Sequence, residues 1–153
     1  MTDAIKDFYV DVSLDGVSPT YTQVMNADYD WIESTHNWCQ RAFPNFEASE
    51  LVEGAPVLDD ATLLVIKRFH KEKVLNLVFR YLRHFNDIGH TDPKHYYHNN
   101  RRVTRLLKFL NMLELNDALE VAYNTVTASE DGNPGFDNAL MYWQEALYYK
   151  REQ

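Results

Sequence analysis

The sequence predicts an all-α protein, a compact bundle-like domain of five to six helices filling 1–153, with a short extended arm at its N-terminus. Three observations predict it. Apolar residues recur every three or four positions through two long stretches, 61–86 and 99–113. Side chains able to cap a helix stand ahead of several of the periodic runs. Hydrophobic residues make up 45% and aromatics 14% of the 153 residues, with only five Gly and five Pro, which separates the chain from disordered and collagen-like sequences.

Residues 1–18 carry a partial two-residue alternation, Phe8, Val10, Val12 and Leu14, ahead of Asp15-Gly16, the pattern of a short strand or extended arm. Ser18-Pro19 offers an N-cap followed by proline at the first helical position, so a short helix is expected through Thr20 to Asn26. Asp28 caps a second helix, in which Trp31, Thr35, Trp38 and Ala42 share helical spacing, and Pro44 bounds it. The segment 45–58, with Gly54 and Pro56, reads as a loop.

Asp59 caps the longest periodic stretch, Ala61 to Asn86, either one helix or two joined near Lys71 to Lys73. Gly89 and Pro93 end it, and a further helix starts near Asn99 or Asn100 with Val103, Leu106, Leu107, Leu110 and Leu113 as its buried stripe. Asn116 caps a helix carrying Leu119, Ala122 and Val126. Gly132-Asn133-Pro134-Gly135 separates it from a last helix with Phe136, Leu140, Trp143 and Leu147.

Composition also bounds function. The single cysteine, Cys39, has no partner for an internal disulfide, and the first residues lack the basic start and apolar core of a secretory signal, so a soluble, intracellular protein is expected, cytoplasmic or nuclear. No apolar run approaches the roughly 20 residues needed to span a bilayer. The net charge is −8, yet residues 67–108 hold eleven Lys or Arg against three acids, +8, which leaves −16 for the rest.

Two runs carry a family pattern. Asp28-Tyr29-Asp30-Trp31-Ile32-Glu33-Ser34-Thr35-His36-Asn37-Trp38-Cys39-Gln40-Arg41-Ala42-Phe43-Pro44 resembles the opening signature of the conserved domain of opioid growth factor receptors, matching at Glu33, His36, Gln40, Phe43 and Pro44. His98-Asn99-Asn100-Arg101-Arg102-Val103-Thr104-Arg105-Leu106-Leu107-Lys108, continuing to Leu110, Leu113 and Leu115, resembles its second signature, and Asn138 to Trp143 is similar to an apolar, aromatic helix near that domain's end. The resemblance covers 28–147, with Cys39 and Arg41 where the family usually shows an aliphatic residue and Trp. It implies a helical domain with no enzymatic activity and no cofactor, known in animals from a receptor for the enkephalin growth factor, and therefore a binding module for a protein or peptide partner.

Four groups of residues are candidates for chemistry. His98, Asn99 and Asn100 read as a helix cap, or with Arg101 and Arg102 as an anion site at a helix N-terminus. Arg101, Arg105 and Lys108 fall on one helical face while Arg102 sits to one side; the face is solvated, paired with the acidic segments, or a contact for a partner, for phosphates or for nucleic acid, the alternative function of 67–108. Asp28, Trp31, Glu33 and Trp38, with Asp30, Trp143, Phe43 and Tyr142, could frame an acidic and aromatic peptide pocket, although Trp31 and Trp38 equally suit a core.

The fourth group is catalytic or metal-binding in appearance. Glu33, His36 and Cys39 lie three apart, as a nucleophile and its base would on a helix, but no oxyanion loop accompanies them, so no catalytic residue is assigned. His84, His90, His95 and His98 cluster with Asp87 and Asp92 without the tight paired spacing of a zinc site, and no metal is assigned.

Overall fold

In the computed structural model the protein is all-α; the structure describes residues 3–49, 52–89, 91, 96–130 and 137–149, and among these there are nine α-helices and one π-helical turn, with no strand. The chain packs as two compact units, residues 1–80 and 81–153.

The expected N-terminal arm is instead a helix, α1 (Asp3–Tyr9). Ile5, Phe8 and Tyr9 are fully buried, whereas Val10, Val12 and Leu14 of the supposed alternation are 51%, 37% and 88% exposed. The three- and four-residue spacing wins because it gathers three large side chains onto one helical face. The helix ends at Asp11 in the left-handed region, φ 61°, where the Val12 amide donates to the Asp7 carbonyl and the Asp11 amide to that of Phe8. This is the double hydrogen-bonded closure usually built on glycine.

The cap of α2 (Tyr21–Asn26) lies two residues later than expected: Thr20, not Ser18, accepts from the Gln23 amide. Asp28 caps α3 (Tyr29–Ser34) as expected, accepting from the Trp31 amide at 2.8 Å. The single helix expected through to Pro44 is interrupted. α3 stops at Ser34, Thr35 is extended, and α4 (Cys39–Ala42) resumes the coil. The break lets the Trp38 ring enter the core, 1% exposed, with its Nε1 donating to the Ile32 carbonyl at 3.2 Å and its ring packed edge-to-face with Phe43.

Asp59 caps α5 (Asp60–Phe69), accepting from the Thr62 amide at 2.8 Å. The long periodic stretch resolves into two helices at His70, ahead of α6 (Lys71–His84). Backbone bonding nearly bridges that joint, since the His70 amide donates to Ile66 and its carbonyl accepts from Val74. Tyr9 then ties the first unit together: its hydroxyl donates to the Ala42 carbonyl at 2.5 Å, its ring stacks on His70 at 5.4 Å, and its carbonyl accepts from Lys73 Nζ at 2.5 Å.

In the second unit a π-helical turn (Phe85–Gly89) precedes α7 (Tyr96–Met112), which packs against α8 (Asn116–Glu130) and α9 (Asp137–Leu147). The stripe of Val103, Leu106, Leu107, Leu110 and Leu113 is buried as the spacing requires, and Phe109 joins it. Two boundaries differ from expectation. α7 starts at least three residues before Asn99, and Asn116 is the first residue of α8 rather than its cap. Between them Glu114 takes φ 59° and repeats the closure of α1, Leu115 donating to Leu110 and Glu114 to Asn111. Leu119, Ala122 and Val126 of α8 are buried. In α9 the buried residues are Ala139, Trp143 and Ala146, while Leu140, expected inside, is 41% exposed; Phe136 and the Gly132 to Gly135 turn lie outside the described residues.

Candidate functional site

The extra N-terminal turn of α7 changes what His98, Asn99 and Asn100 do. A residue inside a helix cannot cap it, and Asn99 is turned inward with no exposure. Its Oδ1 accepts from the Tyr81 hydroxyl at 2.7 Å and from Arg102 Nη1 at 3.3 Å, and its Nδ2 donates to the Gly89 carbonyl at 3.1 Å. Tyr81 in turn stacks on His84, which is also fully buried. The segment expected to form a cap or an anion site is thus a buried polar junction holding α7 to the π-helical turn and the end of α6. Asn100 supplies its carbonyl to the Trp143 indole at 3.3 Å.

Helical geometry explains the fate of the cations. At about 100° per residue, the buried positions from Asn99 to Leu113 span an arc of roughly 160°; Arg101 and Lys108 fall opposite its centre, and Arg105 lies nearer its edge. Arg102 lies within the arc and is 5% exposed. The three others are half-buried rather than freely solvated. Arg101 lies over the Tyr97 ring at 4.8 Å and donates to its hydroxyl at 2.7 Å, and Lys108 sits over Tyr149 at 5.0 Å. In the first unit Lys73 reaches the Tyr9 carbonyl and Tyr21 ring, and Arg80 donates to the Ala27 carbonyl at 2.5 Å beside Tyr29. The basic segment therefore spends much of its charge on internal carbonyls and aromatic faces.

The acidic and aromatic group does not form an open pocket. Trp38 is core, Glu33 is 6% exposed, Asp28 is a cap, and only Trp31 is half-exposed. Trp143 and Tyr142 belong to the second unit. Glu33, His36 and Cys39 likewise part company, because α3 ends before His36: Glu33 and Cys39 are buried and His36 is exposed between helices. Among the described residues no three His, Cys, Asp or Glu side chains converge to hold a metal ion; His90, Asp92 and His95 lie outside them. No helix among the described residues is long and apolar enough to cross a membrane.

Two surface features were not anticipated. The outward side of α9 and the turn after it carry Leu140, Met141, Tyr142 and Tyr148, which are 41%, 54%, 53% and 81% exposed, although Ala139, Trp143 and Ala146 already satisfy the helix's buried side. The periodicity of the buried residues hid this, since only their neighbours in the helical wheel reveal the second face. In the first unit, α1, the loop after it and Arg41 of α4 line a cleft of about 130 Å³. One wall is an ordered loop: the Asp15 carboxylate accepts from the Ser13 hydroxyl, the Val17 amide, and both the amide and hydroxyl of Ser18, donors that hold it well below the usual carboxylate range.

Comparison of the chain with family models, with curated proteins and with solved structures found no match.

Proposed function

We propose that the chain is a non-enzymatic binding module, built on a helical scaffold of the opioid growth factor receptor domain type, that recognises a protein or peptide partner through the outward face of α9. The observation that supports this reading is the exposure of Leu140, Met141, Tyr142 and Tyr148 on a helix whose opposite side is fully packed. The three consecutive side chains fan around the roughly 200° that the buried side leaves open, and Met and Tyr are residue types enriched at interfaces. The paired sequence signatures support the scaffold. Nucleic acid, the other reading of 67–108, has less to work with, since Arg102 is buried and Lys73, Arg80, Arg101 and Lys108 are engaged internally.

The full chain and a Met141→Asp, Tyr148→Asp double variant, both immobilised, test the proposal against extract from the native host. A partner held by the first and weakened at least about tenfold by the second, with identical thermal melts, is the expected result. Equal capture by both chains would overturn the assignment of α9.

A further inference from the structure

The cleft beside Arg41 combines one half-buried cation and one available carboxylate in a space too small for most ligands. Its volume, about 130 Å³, lies well under the roughly 300 Å³ at which sites for drug-sized ligands begin, so only a handful of atoms fit. Arg41 is half-buried, and among the described residues its guanidinium makes one hydrogen bond, from Nη1 to the Asn37 carbonyl at 2.6 Å. Most of its five N–H donors are therefore unused. Burial holds its pKa below the ordinary value, with Asp15 opposing that shift.

The two acids of the cleft differ in what they can still accept. Asp15 is filled by four donors from its own loop, whereas among the described residues the Asp7 side chain accepts no hydrogen bond. Val12, Leu14 and Pro19 complete the lining with apolar surface. With Arg41, Asp7 and Asp15 ionised, the lining carries a formal charge of about −1, so a lone carboxylate or a phosphate would deepen an existing negative charge and a zwitterion would add none.

We infer that this cleft binds a small free α-amino acid as its zwitterion, the carboxylate against Arg41, the ammonium against Asp7 and an aliphatic side chain over Val12 and Leu14. Recognition of this kind needs both ends of the ligand. A peptide interior has neither charge and does not fit the volume. The site lies in the first unit and is independent of α9.

Titration calorimetry on the full chain with valine, N-acetylvaline, valinamide and inorganic phosphate tests it. Valine binds, and removing either charge from the ligand weakens binding at least about tenfold; Arg41→Gln and Asp7→Asn each do the same. Asp7→Asn reads the site without touching the bond to Asn37, should Arg41→Gln lower the melting temperature. N-acetylvaline, valinamide or phosphate binding as well as valine would overturn the inference. So would the absence of heat from valine up to about 10 mM, or undiminished binding by Asp7→Asn.

Discussion

Asp11 and Glu114 occupy the same backbone conformation and close their helices with the same pair of hydrogen bonds, yet their side chains have different work. The Asp11 carboxylate accepts from the Thr22 amide at 2.8 Å and its hydroxyl at 2.7 Å, pinning the first turn of α2 to the end of α1. A left-handed conformation costs a non-glycine residue about 1 kcal/mol. Asp11→Gly therefore relieves that strain but loses two hydrogen bonds, and is expected to be neutral or destabilising in urea unfolding. His70 contributes a pH dependence just below neutrality. Burial, and then Lys73, holds its pKa below the ordinary value near 6.5, so the unfolded chain takes up that proton first as pH falls. Stability from this site is complete above about pH 6.5 and declines as pH drops toward the folded value. Urea midpoints measured from pH 7.5 downward should fall less steeply for His70→Asn than for the native chain.

At the level of helices, the break between α3 and α4 sets the position of Trp38, and its removal tests that break. Trp38→Ala empties a fully packed site and orphans the Ile32 carbonyl, an expected loss of about 3–5 kcal/mol read from the urea midpoint. The sequence made the starts of α3 and α5 legible, because Asp28 and Asp59 are short acceptors directly ahead of apolar periodicity. It misled at Asn99 for the same reason. An asparagine before an apolar run looks like a cap whether it faces the backbone or the core, and the three residues ahead of it, two of them tyrosines, conceal that the helix has already begun. The end of α7 was hidden because glutamate stands where glycine normally announces the closure. At the candidate sites, residue type was legible and direction was not: Arg102 was separated from the other cations by angle alone, but its burial depends on the packing of α7, and the cleft at Arg41 draws on segments that no local spacing connects.

Across the whole molecule, a segment of +8 sits in a chain of −8, and folding turns part of that charge inward, at Lys73, Arg80 and Arg102, while Arg68, Lys71 and Arg83 stay exposed. Three phosphate contacts from Arg101, Arg105 and Lys108 would give a log–log salt slope of about −3 on duplex DNA. With Arg101 and Lys108 held on tyrosine rings, the expected result of a gel shift at 150 mM salt, about physiological strength, is no retained complex. The buried junction at Asn99 bears on descent as well as stability. A Cβ at Gly89 would stand 3.3 Å from Asn99 Nδ2 and 3.4 Å from the ring of Phe85, while the Gly89 carbonyl depends on that same amide. A side chain at 89 therefore requires Asn99 to give by a few tenths of an ångström, which couples the two positions. In any lineage sharing this fold, a side chain at 89 should travel with a smaller residue at 99, leaving a covarying signature where neither position, taken singly, looks like anything more than a turn glycine and a polar helix residue.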